Sequence, residues 1–184
     1  MSSTFPGTTI ETTSLDKGSS KLLFDGIFAT GGITLSQVSV MTGLEPYLIQ
    51  NWVKRGFVTP PVKRLYSKKQ FARIVIINML RETIQIERIC SLIHIIGGSP
   101  NDPNDDLIGD DELYHRYVDL LADHRFNTSD KQSVLNAAEE ACADFDGSLP
   151  NARRQLVRIL QVMIYAHAAS KLRQSAEELF SALQ

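Results

Sequence analysis

The chain has few cysteines and no long apolar run. Its 184 residues include only Cys90 and Cys142, each inside a stretch with helical character, so neither a disulfide framework nor a paired-cysteine zinc site is expected. No segment approaches the roughly 20 uncharged apolar residues that cross a bilayer. Residues 1–20 lack the basic start and apolar run of a signal peptide. We therefore expect a cytoplasmic protein with no membrane contact.

Patterns that indicate catalysis or metal binding are also missing. The four histidines never occur four residues apart or beside a cysteine: His94, His115, His124 and His167. Residues 102–106 are similar to the start of a calcium loop, but Leu107 stands where that loop needs glycine. There is no nucleophile elbow, phosphate-binding glycine loop or paired catalytic carboxylate motif. We expect no cofactor, no metal and no enzymatic activity.

Charge is distributed unevenly along the chain. The formal net charge is −2, yet residues 50–90 alone carry +7 and the rest carries −9. The basic residues of this segment are Lys54, Arg55, Lys63, Arg64, Lys68, Lys69, Arg73, Arg81 and Arg88. A basic segment on an acidic chain indicates a docking place for a polyanion such as nucleic acid. The alternative is a basic helical face without a function.

Residues 34–55 have the pattern of two short helices joined by a tight turn. Thr34 can cap the first helix, Gly43 provides the turn, and Pro46 suits the first turn of the second helix. Apolar residues recur at helical spacing: Leu35, Val38, Met41, Ile49, Trp52 and Val53. The pattern predicts a helix-turn-helix, a motif that places its second helix in the major groove of DNA.

The outer face of the second helix is polar. Tyr47, Gln50, Asn51 and Lys54 are expected to face outward. Asn51 and Gln50 have side chains that can read adenine edges, while Lys54 and Arg55 are suited to phosphate. The alternative is a helix-turn-helix that only holds a core together.

Two short extended pieces follow this helix. Phe57–Val58 and Lys63–Tyr66 flank Thr59–Pro61, which predicts a small β wing around a turn stiffened by two prolines.

A third helix begins after the wing. Ser67 and Gln70 have the spacing of a capping box. Lys68 and Lys69 lie in the first turn, where the helix dipole disfavours cations and a nearby phosphate would relieve the conflict. The alternative is that two exposed lysines at this position cost little.

These residues resemble a known family. Residues 50–58, 64–67 and 73–89 follow the order of the N-terminal domain of the MerR family, with Gln50 where that family has an arginine. The resemblance covers about sixty residues and implies a winged helix-turn-helix with Arg64 and Tyr66 near the DNA backbone. The run from Leu22 to Leu80 also resembles an uncharacterised domain family common in Firmicutes.

The C-terminal half is predicted to be helical over residues 112–124, 129–145 and 151–183. The last helix carries two apolar runs at 4-3-4 spacing, separated by an interruption. The runs are Leu156, Leu160, Met163 and His167, and then Leu172, Ala176, Leu179 and Leu183. A helix of this length suits a homodimer, as in MerR relatives, and a plain helical bundle is the equal alternative.

Together these patterns predict a mainly α protein with four parts. They are a flexible tail (residues 1–21), a MerR-like winged helix-turn-helix (22–98), an acidic linker (99–111) and a helical region (112–184). We expect a regulator that binds double-stranded DNA sequence-specifically. The expected DNA-contacting residues are Tyr47, Gln50, Asn51, Lys54, Arg55, Lys63, Arg64, Tyr66, Lys68 and Lys69. The alternative function is a protein-interaction module, an adaptor or antirepressor built on a winged-helix scaffold.

Overall fold

The structure, a computed structural model, describes residues 3–97, 107–123, 126–147 and 150–183. The helices in this part of the chain are α1 (Ser19–Ile27), α2 (Leu35–Thr42), α3 (Pro46–Lys54), α4 (Lys68–Leu80), α5 (Ile86–Gly97), α6 (Asp110–Ala122), α7 (Lys131–Ala141) and α8 (Ala152–Ser181). The expected mainly α class is confirmed. No helix among these residues is long and apolar enough to cross a membrane.

Two small antiparallel sheets accompany the helices. Strand β1 (Ser3–Thr4) pairs with β2 (Glu11–Thr12), with Ser3 opposite Thr12. Strand β3 (Ile33–Thr34) pairs with β4 (Leu65–Tyr66), with Ile33 opposite Tyr66. The second sheet joins the chain just before α2 to the chain just before α4.

Helix α4 lies at the centre of the molecule. It packs against α2, α5, α6 and α8, as expected for a helix that is apolar on all sides. Its buried residues are Phe71, Ala72, Ile74, Val75, Ile76, Ile77, Met79 and Leu80. Because α6 and α8 cover the same helix as α2, the two predicted regions on either side of residue 98 share one continuous core.

The N-terminal segment, for which a flexible tail is expected from the sequence, packs on this core. Phe5 is only 5% exposed, and the Pro6 carbonyl accepts a hydrogen bond of 2.9 Å from the Tyr114 hydroxyl. Gly7, at φ 73°, lies so close to α4 that an added Cβ would meet the Val75 carbonyl oxygen at 2.4 Å. The high content of serine and threonine concealed these long-range contacts.

The predicted linker is structured at its C-terminal end. Leu107 and Ile108 are each 4% exposed and belong to the core, and α6 begins at Asp110. Asp110 Oδ2 accepts a hydrogen bond of 3.0 Å from Arg73 Nε, an ion pair that joins α6 to α4. The other predicted linker residues, 99–106, and His124 lie outside the described residues.

An aromatic cluster fixes α1 between α4 and α6. The Phe24 ring lies 5.2 Å from the rings of both Phe71 and Tyr114 and 4.9 Å from the His115 ring. His115 Nδ1 is 2.9 Å from the Ser20 hydroxyl. Burial lowers the pKa of His115. Its neutral ring can therefore serve as a packing and hydrogen-bonding group in this cluster.

The two apolar runs of α8 lie in different environments. Leu156, Leu160 and Met163 are fully buried against the rest of the molecule. Every residue from 171 to 183 is exposed, including Leu172 and Leu179. Helix α8 thus packs over its first part and is solvent-exposed over its last turns.

We expect Phe5→Ala to lower the free energy of unfolding by about 3 kcal/mol, since a large buried aromatic side chain is lost. Thr13→Ala, at an exposed position of the same segment, is the matched control and should change it by less than about 0.5 kcal/mol. Urea unfolding followed by circular dichroism measures both. Equal small effects would show that the segment does not pack.

We expect the free energy of unfolding to depend on pH through His167. Burial, with a smaller contribution from Lys171, lowers the pKa of His167 to about 4, and His167 Nδ1 lies 2.9 Å from the Tyr117 hydroxyl. The unfolded chain therefore binds one more proton than the folded chain between pH 4 and the ordinary histidine pKa of about 6.5. Stability should be fully present above pH 6.5 and fall by about 3 kcal/mol towards pH 4 from this group.

His167→Asn should remove that part of the pH dependence, and His94→Asn, at an exposed position, should retain it. The measurement is the urea midpoint of each variant from pH 4 to pH 8. Parallel profiles for wild type and His167→Asn would contradict the assignment.

Candidate nucleic-acid interface

Local hydrogen bonds define the start of α2 and its junction with α3. Thr34 and Gln37 form the complete capping box at the start of α2, which confirms the predicted cap. Gly43 ends α2 at φ 69°, and its N–H donates to the Ser39 carbonyl at 2.9 Å. The Ser39 hydroxyl in turn donates to the Leu44 carbonyl at 2.6 Å. These contacts hold the turn that sets the direction of α3.

Helix α3 has one buried and one exposed face. Ile49 and Trp52 are 0% and 2% exposed and anchor the helix on the core. Tyr47 is 69% exposed. The polar residues Gln50, Asn51 and Lys54 are exposed too. All four residues predicted to face outward therefore share the solvent side of α3, where a flat or grooved polyanion can reach them.

Arg55, directly after α3, is engaged within the protein. Its guanidinium lies 4.4 Å from the centre of the Phe57 ring and donates to Glu87 Oε1 at 3.0 Å. A backbone hydrogen bond and the bond from Arg55 lower the pKa of Glu87. Arg55 thus links the end of α3 to the first turn of α5, which makes it a positioning residue.

The segment after α3 forms a tight two-residue turn. Val62 and Leu65 exchange both backbone hydrogen bonds, at 3.1 and 2.9 Å, around Lys63 and Arg64. These two residues have φ of 50° and 66°, a conformation that strongly favours Asn-Gly or Gly-Gly. Two exposed cations therefore occupy a strained turn where glycine would fold more easily.

The strand pairing differs from the predicted wing. Phe57–Val58 does not pair with residues 63–66, and β4 pairs with β3, which precedes α2. Val58 is fully buried and its N–H points back to the Trp52 carbonyl at 3.4 Å. The Phe57 N–H also donates to the Trp52 carbonyl, at 2.9 Å, so the N–H groups of both residues are used at the end of α3 and not in a strand pair.

At the start of α4, a positive charge is balanced by a carboxylate of the same chain. The predicted capping box of Ser67 and Gln70 is confirmed, and Gln70 Nε2 also donates to the Pro60 carbonyl at 2.9 Å. Lys68 pairs with Asp25, and this hydrogen bond lowers the pKa of Asp25. A carboxylate of the chain itself thus balances Lys68, and no phosphate is needed to explain it. Lys69 is exposed beside the first turn of α6, within reach of Gly109.

Tyr66 departs from its predicted place near the DNA backbone. It is 3% exposed, and burial raises its pKa. Its ring packs in the core beneath the β3–β4 sheet, because alternation along β4 leaves Leu65 outside and Tyr66 inside. Tyr66 is thus a core residue in this chain.

The basic segment therefore divides into two groups. Arg55, Lys68 and Arg73 pair with carboxylates on other elements. Within the described ranges, no carboxylate lies at ion-pair distance from Lys54, Lys63 or Arg64. Lys69, Arg81 and Arg88 are exposed as well and form no ion pair with a described residue. The cations available to a partner thus include, besides these three, the ones at the end of α3 and on the 62–65 turn. The same part of the chain holds no cluster of three or more metal-binding side chains.

The sequence predicted these cations, but it did not predict the positive φ of Lys63 and Arg64. A Lys-Arg dipeptide carries no turn signal comparable to Asn-Gly, so the strain at residues 63–64 is visible only in the structure.

A family profile described as "Domain of unknown function (DUF1836)" matches residues 24–117, just over half of the chain. The chain belongs to this DUF1836 family. The match confirms the resemblance to an uncharacterised domain family, and it includes α2, α3, the turn and α4. The likeness to the MerR family has no such support. No curated protein and no solved structure matches the chain.

We expect Arg64→Gly to raise the free energy of unfolding by about 0.5–1 kcal/mol, because it removes the positive-φ strain of a side chain at the turn. Gly56→Ala is the matched opposite. Gly56 has φ 78° and no atom within 4 Å of an added Cβ, so this variant should lose about 0.5–1 kcal/mol through backbone strain alone. Urea unfolding measures both, and a loss of stability in Arg64→Gly would contradict the strained turn.

Proposed function

We propose that this protein is a transcriptional regulator that binds double-stranded DNA sequence-specifically. In this proposal α2 and α3 act as a helix-turn-helix, and the 62–65 turn acts as a short wing. The single observation that carries it is the 62–65 turn. Strain at functional sites persists when the residue identity matters more than local stability, and here that identity is two adjacent cations.

The roles divide along the surface. Helix α3 enters the major groove, where Asn51 and Gln50 read base edges by paired hydrogen bonds. Lys54, Lys63 and Arg64 contact phosphates and fix the position of α3 in the groove. Tyr47 packs its exposed ring against the groove wall. The MerR resemblance supports this arrangement as an analogy of fold.

Arg55, Lys68 and Tyr66 support the surface through contacts with other residues of the chain. Each is engaged in an internal contact described above, which orients α3 or the sheet beneath the turn. The residues expected to contact DNA are therefore those on α3 and on the 62–65 turn. Lys69 lies at the edge of this surface.

A protein-interaction role is the second candidate, and one observation favours it. A shallow depression of about 310 Å³ lies between α1 and α2. It is lined by Ile27, Ile33, Ser36, Gln37, Val40 and Met41. Val40 is 72% exposed. An apolar patch of this kind suits a protein partner, and it lies apart from the exposed face of α3.

The experiment is a salt titration of binding to random-sequence duplex DNA, measured by fluorescence anisotropy with the full chain. Binding driven by phosphate contacts should weaken steeply as salt increases. The double variant Lys63→Ala/Arg64→Gly should bind more weakly and reduce the slope of log K against log salt by about 2, one unit for each lost contact. The Arg64→Gly change should not destabilise the fold, so unfolding cannot explain the loss.

Arg153→Ala/Arg154→Ala is the matched control. It removes two exposed arginines at the start of α8 and should leave the affinity and the salt slope unchanged. No binding at low salt, or equal losses in both double variants, would overturn the proposal and favour the protein-interaction role.

Recognition of bases is tested separately, after a preferred DNA site has been selected from a pool of random sequences. Asn51→Ala should reduce the ratio of specific to random binding by roughly 10-fold, as expected for one lost bidentate contact. Lys54→Ala should weaken both equally. An unchanged ratio in Asn51→Ala would remove this residue from base recognition.

A further inference from the structure

The C-terminal end of α2 is capped by residues from outside the helix-turn-helix. The last four carbonyls of an α-helix have no hydrogen-bond partner within the helix. In α2 these are the carbonyls of residues 39–42. The Gly43 N–H donates to the first of them, on Ser39, within the turn itself. The other three carbonyls accept hydrogen bonds from distant parts of the chain.

Thr9, in the loop between β1 and β2, satisfies two of these carbonyls. Its backbone N–H donates to the Met41 carbonyl at 2.9 Å, and its hydroxyl donates to the Val40 carbonyl at 2.7 Å. The Thr9 side chain also packs on the turn, because a Cβ added to Gly43 would meet Thr9 Cγ2 at 3.0 Å. One threonine thus caps α2 and covers the glycine at which the chain turns towards α3.

Asn78, on α4, satisfies the remaining carbonyl and holds the loop that carries Thr9. Its Nδ2 donates to the Thr42 carbonyl and to the Gly7 carbonyl, each at 3.0 Å. Arg81 Nε donates to Asn78 Oδ1 at 2.9 Å, which fixes the orientation of the amide. The N-terminal loop, the end of α2 and the central helix are therefore joined at one point.

We propose that Thr9 is a positioning residue for DNA recognition, whose hydroxyl fixes the angle between α2 and α3. This inference rests on the proposed function of α3. Without the hydroxyl, the last turn of α2 tilts to give the Val40 carbonyl a water partner, since an unmade hydrogen bond is costly. Helix α3 begins at Pro46, three residues after Gly43. The tilt therefore changes the direction of α3.

Base recognition is more sensitive to this direction than phosphate contact. A bidentate hydrogen bond from Asn51 to a base requires a defined orientation of α3. Lys54, in contrast, reaches phosphates through a long and flexible side chain. Loss of the Thr9 hydroxyl should therefore weaken binding to a preferred site more than binding to random DNA. A residue that only stabilised the fold would affect both alike, through the fraction of folded protein.

The test variant is Thr9→Val, which removes the hydroxyl but keeps the backbone N–H and nearly the same shape. Thr9→Ser retains the hydroxyl and should behave as wild type. Thr12→Val is the matched control. It removes a hydroxyl hydrogen bond of the same length, 2.7 Å, which Thr12 donates to the Ser14 carbonyl within the N-terminal segment and away from α2.

Amide hydrogen exchange of the full chain, measured by NMR without DNA, tests the cap itself. The tilt weakens the bond from the Gly43 N–H to Ser39. This amide should exchange at least about 5-fold faster in Thr9→Val, the factor expected for one hydrogen bond of ordinary net strength. Thr9→Ser and Thr12→Val should show the wild-type rate. A wild-type rate in Thr9→Val would overturn the role of the hydroxyl in holding the turn.

Fluorescence anisotropy with the full chain then compares the selected site with random duplex DNA. Thr9→Val should lower the ratio of specific to random binding by about 5-fold, because the fraction of protein with the required direction of α3 falls by that factor. Thr9→Ser and Thr12→Val should keep the wild-type ratio.

The failure of this inference differs from the failure of the proposed function. If wild type binds no DNA at low salt, the proposed function and the role of Thr9 in recognition both fail. If wild type has a preferred site, an unchanged ratio in Thr9→Val, or equal losses on both DNAs, would overturn the role of Thr9 alone.

Discussion

The burial of α4 is the constraint on which the rest of the structure depends. This helix has no continuous polar face, so its apolar residues are removed from water only when other elements surround it. Helices α2, α5, α6 and α8 and the N-terminal segment each cover part of it. The close approach of Gly7 to Val75 and the ion pair between Arg73 and Asp110 follow from that demand. The position of α3 at the surface follows as well, because α2 and the β3–β4 sheet are held in place by α4.

Some cations of the basic segment pair with carboxylates of the chain, and others face the solvent. Arg55, Lys68 and Arg73 are held by acidic partners on other helices. The largely exposed pairs of Arg55 and Lys68 contribute orientation more than stability, whereas Asp110, the partner of Arg73, is buried. Lys54, Lys63 and Arg64 are left to the solvent. The formal charge of +7 along the sequence is therefore larger than the charge that one face presents. The two cations of the 62–65 turn are both exposed on the same tight turn, which their sequence alone does not indicate.

Local features could be predicted from the sequence, and long-range ones could not. Thr34, Gly43 and Pro46 act within one helical turn, so their residue types predicted the caps and the turn between α2 and α3. The partner of β4 was missed because β3 is two residues long and lies thirty residues earlier. The N-terminal segment was missed because hydrogen bonds such as Tyr114 to Pro6 leave no local pattern. Within the candidate site, exposure of the α3 residues was foreseen, but the burial of Tyr66 and the backbone of Lys63 and Arg64 depend on pairing that only the fold reveals.

The packing of residues 3–12 and of α8 on α4 has a consequence for how the family should be understood. The segment that defines the family, residues 24–117, contains α4 but lacks the N-terminal hairpin and the long helix that shield it. A fragment cut at those limits would keep α2, α5 and most of α6 but would expose the part of α4 that the N-terminal segment and α8 cover. The segment matched by the family profile and the set of elements that cover α4 are therefore different stretches of this chain.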